Sequence, residues 1–194
     1  MKKAVTVLFA MMLAVLCLAT AFAEGTPAGS PEPTSHILVV YFSATGTTKG
    51  VAENLAEGLK ADLYEIVPEE PYTDADLNYN DSKSRTSIET DDPTCRPAIA
   101  GTIPDLKAWD TVLIGYPIWW GDVPRIVSNF VEQADLTDKT VAVFFTSGGS
   151  GLGNSMRHLQ EQAGAGNWLE GKRFSGSAKV EELVKWADSL GIKP

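Results

Sequence analysis

The sequence predicts an α/β domain: a five-stranded parallel sheet wound with helices on both faces. Three observations predict it. Ile37–Phe42, Thr111–Pro117 and Thr140–Thr146 are continuous apolar runs rich in β-branched residues, the pattern of parallel strands covered on both sides. Segments with apolar residues at helical spacing lie between them, giving the alternation of a doubly wound sheet. Small, hydroxyl-rich or glycine-rich loops follow the carboxyl ends of these strands.

Taken in order, the chain begins with a basic Met1-Lys2-Lys3 head and an apolar run from Ala4 to Ala23 that ends Ala21-Phe22-Ala23 before Glu24. This is the pattern of a secretory signal peptide over residues 1–23. The twenty-residue run is also long enough to remain as a membrane anchor. Either way the lysines stay inside and the remainder is exported. Leu16 stands where a lipoprotein signal around Cys17 needs a small residue. Residues 24–35, rich in Pro, Gly and Ser, form a disordered tether, and residues 36–194 form the domain. Removing 23 of 194 residues leaves 171, enough for one domain, and losing two lysines takes the net charge from −9 to −11. Such acidity opposes binding of nucleic acid. Cys95 is the one cysteine left after cleavage, so no internal disulfide forms.

After the first strand comes Ser43-Ala44-Thr45-Gly46-Thr47-Thr48, then Val51, Ala52, Leu55, Ala56 and Leu59 on one helical stripe. Strand, tight loop and helix N-terminus together make an anion site. The first helical N–H groups have no backbone partner, and the helix dipole places about half a positive charge there. Ser43, Thr45, Thr47 and Thr48 add hydroxyls, and Gly46 lets the backbone close round a phosphate. The loop lacks the spacing of a Walker A motif or of a dinucleotide fingerprint.

Asp62–Val67 is a second strand, with Glu65 marking an exposed edge. Pro68–Asp110 carries five prolines and no long helical stripe, only a helical turn near Pro104–Trp109; so long an irregular segment is commonly functional. Pro124 opens a helix with Ile126, Val127, Phe130, Val131 and Ala134 inward. Leu152, Met156, Leu159 and Ala163 line the next, ended by Gly164. Asn167–Phe174 is a weak fifth strand. Ser177 is the expected cap of a last helix with Val180, Leu183, Val184, Ala187 and Leu190 inward and Gly191 as its stop.

The loop Ser43–Thr48 resembles the phosphate loop of flavodoxins, [ST]-x-T-G-x-T, which holds the phosphate of FMN. Tyr116-Pro117-Ile118-Trp119-Trp120-Gly121 resembles their second flavin loop, where aromatics flank the isoalloxazine. Pro71–Asp81, with Ser84-Arg85 and Arg96-Pro97, looks like an irregular excursion found near the flavin end of the sheet in a bacterial flavodoxin-like subfamily. The resemblance covers nearly all of Ile37–Leu190. It implies a flavodoxin-like doubly wound sandwich with strand order 2-1-3-4-5, whose crevice lies at the carboxyl ends of the strands. Two adjacent tryptophans diverge, so both cannot enter the core, and an indole face suits a flat electron-poor ring, contributing about 0.5–1.5 kcal/mol beyond area burial. Gly121 would set its peptide at the edge of the ring. Thr146-Ser147-Gly148-Gly149 would turn backbone N–H groups to the pyrimidine end. Arg85, His36 and His158 read as ordinary surface residues, and Asp122 is the one charged group in the three loops.

With the export expected from residues 1–23, the resemblance implies an exported FMN-binding redox protein, foremost an electron carrier whose acidic surface steers basic redox partners. An FMN-dependent NAD(P)H reductase of quinones or other small acceptors is the alternative. A binding module that kept the fold without flavin is a third.

Overall fold

A computed structural model describes residues 36–194; the expected leader and tether, residues 1–35, lie outside the described residues. The first apolar run forms β1 (Ile37–Tyr41), buried at every position. Strand periodicity divides it: Leu38 and Val40 face one helical layer, Ile37, Val39 and Tyr41 the other. β3 (Thr111–Pro117) and β4 (Thr140–Thr146) are covered on both faces likewise. β2 (Asp62–Glu65) is short and half-exposed because it forms the edge, where Glu65 accepts a hydrogen bond from the Tyr41 hydroxyl at 2.8 Å.

All pairings are parallel, in the order β2-β1-β3-β4-β5. The expected fifth strand is broken in two. β5 (Asn167–Trp168) pairs with Thr140–Val141, and β6 (Lys172–Arg173) with Phe144–Phe145. Asn167 stands opposite Thr140 but Lys172 opposite Phe144, so one extra residue is accommodated between the pieces, as in a bulge.

Helix α1 (Thr47–Leu59) buries the predicted stripe together with Thr48. It packs beside α5 (Val180–Ser189) on one face of the sheet, while α3 (Arg125–Gln133) and α4 (Ser155–Ala163) cover the other. Leu55 and Leu183 on one side, and Ile126, Phe130 and Leu159 on the other, are fully buried; each stabilises by roughly 1.5–3 kcal/mol. Ser177 does not cap α5. Lys179 holds that position without a side-chain bond, Glu181 and Glu182 supply the first-turn negative charge, and the Ser177 hydroxyl pairs with Ser175 at 3.0 Å. Gly191 ends α5 at φ 80°, with the Ile192 N–H donating to the Ala187 carbonyl.

The irregular middle segment folds into a closed excursion. Pro68 and Ile99 form an antiparallel bridge at its base, where Glu69 N–H donates to Ala98 O and Ala100 N–H to Val67 O. Inside lies a helix the pattern did not signal, α2 (Arg85–Asp91), capped by the Ser84 hydroxyl. Its buried residues are polar. Thr86 and Ser87 donate to the carbonyls of Asp76 and Asp81, and Glu89 accepts from the Tyr72 hydroxyl at 2.7 Å and from Arg85 Nε at 2.6 Å. Arg85 is therefore an ion-paired residue stacked 4.1 Å over the Tyr72 ring, not a solvated one. The expected turn near Pro104–Trp109 is a 3₁₀ turn at Leu106–Ala108.

Arg96 fastens the far side of the excursion to α3 through a two-point pair with Glu132, at 2.7 and 2.6 Å. Its hydrogen bonds hold the Glu132 carboxyl below the usual range. The pair's contribution is thus complete above the ordinary glutamate value and fades as pH falls through the lowered one. Arg96→Ala is expected to lower the urea midpoint at pH 7, with the deficit shrinking below about pH 4; urea melts of both proteins at several pH values measure this.

Candidate functional site

Strand register alone brings the three loops together. Tyr41 stands opposite Gly115 and Pro117 opposite Thr146. Two residues beyond Tyr41, Ser43 therefore lies level with Pro117 and Thr146, and the chain leaves all three strands along one edge. Phe42 N–H to Gly115 O and Ile118 N–H to Thr146 O, each 2.9 Å, extend the ladder past the strand ends.

A cleft of about 330 Å³ opens at that edge. The first loop lines it with Ser43, Ala44, Thr45, Thr47 and Thr48, the second with Pro117, Ile118 and Trp119, and the third with Thr146, Ser147 and Gly148. None of its lining residues is charged. Gly46 does not line it but occupies the N-cap of α1 at φ 85°, with no side-chain cap and no acidic residue in the first turn. The opening N–H groups of α1 have no partner within the helix. Lys49 is engaged by Glu65 at 3.4 Å. Thr48 and Thr146 share a hydroxyl–hydroxyl bond of 2.9 Å that ties the first loop to the third, leaving one hydroxyl hydrogen of the pair for a further acceptor. Gly176, before α5, also lines the cleft; a Cβ there would press on the Thr47 methyl at 2.6 Å.

A second cleft of about 510 Å³ shares Thr45, Ile118 and Trp119 with the first. Trp120, Gly121 and Ser150 extend it, and the excursion contributes Leu77, Tyr79 and Thr86. Those three residues carried no individual signal in the sequence, because nothing local announces that residues 77–86 fold back to the sheet edge. Gly149, at the tip of the third loop, lines neither cleft, and its N–H reaches only the Ser147 hydroxyl at 3.4 Å.

The tryptophans diverge as adjacent residues must. Trp119 packs edge-on against Phe42 at 5.3 Å and Tyr72 at 5.2 Å, with Phe42 in the core. Trp120 is 49% exposed at the mouth of the second cleft. Burial, together with the bond to Glu89, raises the Tyr72 hydroxyl pKa far above its ordinary value, so it stays a donor and fixes the ring that supports Trp119.

The loop closes as a two-residue turn. Trp119 N–H donates to Asp122 O at 3.0 Å and Asp122 N–H to Trp119 O at 2.8 Å. Trp120 and Gly121 have φ of 54° and 78°, both positive as in a type I′ turn. Glycine suits that conformation; a bulky tryptophan is strained in it by roughly 1–2 kcal/mol. Gly153 lies directly beneath, where any Cβ would overlap the Gly121 carbonyl oxygen.

Asp122 is not a free base: His158 and Arg125 both engage it. His158, read as an ordinary surface residue, is thus joined to the second loop across 36 residues of sequence. Tyr116 and Ser155 share a buried hydroxyl contact of 3.1 Å, and Ser155 donates to Leu152 O, fixing the end of the third loop. Cys95 stands apart from both clefts, and burial with nearby Glu89 and Asp92 raises its thiol pKa, so it is poorly nucleophilic. Among the described residues no group of His, Cys, Asp and Glu is placed to hold a metal, and no helix is long and apolar enough to cross a membrane.

A parallel doubly wound sheet with an uncharged, hydroxyl-lined cleft beside an aromatic one at the carboxyl ends of its strands defines a class: α/β proteins whose fold places its ligand crevice at that edge. Within it, the chain belongs to the flavodoxin family, whose profile matches residues 36–190. A candidate flavoprotein of Bacteroides eggerthii is 45% identical, with a TM-score of 0.76 over 81% of this chain and 98% of that one. One from Bacteroides uniformis is 41% identical, with a TM-score of 0.75 over 78% and 97%. A flavoprotein of Lactobacillus acidophilus solved in complex with FMN is 27% identical, with a TM-score of 0.60 over 78% and 97%.

The strained turn yields a prediction. Asn-Gly is the preferred type I′ pair, so Trp120→Asn is expected to stabilise the ligand-free protein by about 1 kcal/mol, raising its thermal midpoint by roughly 2–4 °C. Calorimetry of the two proteins checks it; a fall in midpoint contradicts the strain assigned to Trp120.

Proposed function

We propose that this protein is an exported FMN-binding electron carrier. The single observation that carries the reading is the pairing of the two clefts: a hydroxyl-lined cleft at the start of α1 adjoins an aromatic one, and the two share Thr45, Ile118 and Trp119. The residues fit FMN at both ends. The uncapped, acid-free start of α1 with Ser43, Thr45 and Thr47 suits a phosphate in a protein of net charge −9. Trp119, Trp120 and Gly121 suit a flat ring, and the loop from Thr146 to Gly148 offers backbone donors at its other side. Bound FMN supplies the redox chemistry, and the chain binds, orients and shields it. The FMN complex of the Lactobacillus acidophilus relative supports the assignment.

The carrier role is favoured by the expected export, since reduced nicotinamides are held inside the cell, and Tyr79 is the one ionisable residue in either lining. The acidic surface suits a basic protein partner. The signal-like residues 1–23 support export. One observation favours a second reading: the excursion extends the second cleft with Leu77, Tyr79 and Thr86, beyond the loops assigned to the ring, on the side where the small planar acceptor of an FMN-dependent NAD(P)H reductase of quinones would have to enter.

The visible spectrum of protein taken from its native compartment is expected to show bound flavin; a colourless protein that gains no yellow from added FMN contradicts the proposal. Rapid bleaching by NADPH supports the reductase instead of the carrier. Replacing Thr45 and Thr48 together by Ala is expected to weaken FMN binding at least tenfold, about 1.4 kcal/mol. Because Thr48 also bonds Thr146, the thermal midpoint is followed alongside the fluorescence titration, and unchanged affinity removes the first loop from the site.

A further inference from the structure

Three elements converge on the Asp122 carboxylate. Oδ1 accepts from the Val123 N–H at 2.8 Å, and both oxygens lie within hydrogen-bonding distance of His158 Nδ1 on α4, at 2.9 and 2.8 Å. Arg125 Nη1 stands 3.4 Å from Oδ2. The rest of that buried guanidinium donates to the Glu89 carbonyl at 3.2 Å and the Thr90 carbonyl at 2.8 Å, at the end of α2. Arg157 Nη2 lies 3.1 Å from His158 Nε2. A guanidinium can only donate, so Nε2 accepts and the ring proton sits on Nδ1, directed at Asp122. Arg157 is itself held by Glu161 at 2.7 Å.

This cluster ends the turn that carries Trp120 and Gly121. Trp120 is strained and half-exposed, so its own packing does little to hold it in place. Contacts made at the flanks of the turn must therefore fix it. On one flank Trp119 is wedged against Phe42 and Tyr72; on the other stands Asp122. His158 lines neither cleft.

We propose that His158 is a positioning residue for the ligand loop: by donating from Nδ1 to Asp122 it holds the Trp120–Gly121 peptide in its mirror-image turn at the edge of the second cleft. The effect on the ligand rests on the FMN reading; the effect on the turn does not.

Asn and Gln separate a positional role from bulk, since an asparagine amide nitrogen falls near the place of Nδ1 and a glutamine amide nitrogen near that of Nε2. His158→Asn, His158→Gln and His158→Ala are compared by the near-ultraviolet circular dichroism of the ligand-free protein and by FMN titration. His158→Asn is expected to keep the tryptophan bands and the affinity of the parent protein. His158→Gln and His158→Ala are expected to alter those bands and raise the Kd for FMN at least tenfold. Three variants indistinguishable from the parent, Gln rescuing where Asn does not, or altered bands with an unchanged Kd would each overturn the assignment. If the alanine variant does not fold, the Asn–Gln contrast decides. If the parent protein takes up no FMN, the function proposed above fails, and the tryptophan bands alone judge His158.

Discussion

The constraint on which the structure depends is the parallel register of β1, β3 and β4. With Ser43, Pro117 and Thr146 level, three loops distant in sequence leave the sheet side by side. The register is fixed by burial: a one-residue slip would exchange the side chains that face the two helical layers. The same apolar pattern that makes the core thus aligns the site, and the Thr48–Thr146 hydroxyl pair locks the first loop to the third.

Charge sets the style of binding. An acidic chain that surrounded an anion with lysines would first have to separate them from its own carboxylates, and Lys49 is in fact taken by Glu65. Here the cleft proposed to take an anion is lined by hydroxyls beside the uncapped start of α1, whose dipoles need no counter-charge. An uncharged pocket and an acidic exterior can then serve different purposes, in the proposed reading the one for a phosphate and the other for a basic partner.

The sheet, four of the helices and the three loops were legible because each depends on local periodicity or on a loop of distinctive composition. The stripe Val51, Ala52, Leu55, Ala56 and Leu59 is buried as its spacing requires. Helix α2 was not legible, since it turns Thr86, Ser87 and Glu89 inward and satisfies them with carbonyls and a tyrosine hydroxyl, leaving no apolar stripe. Trp186 escaped the predicted core face of α5, although it packs against Phe144 and Phe174. His158 and Asp122 meet only through the packing of α4 against the second loop, and no spacing rule reports such a contact. The extra residue between β5 and β6 is invisible for the same reason, because register is a property of two strands.

The proposed phosphate contact at the start of α1 is tested most directly by comparing the affinities of the ligand-free protein for FMN and for riboflavin. The two ligands share a ring and a ribityl chain and differ only in the group assigned to the start of α1. FMN is predicted to bind at least tenfold more tightly, a difference of about 1.4 kcal/mol or more. Equal affinities would contradict the anion pocket.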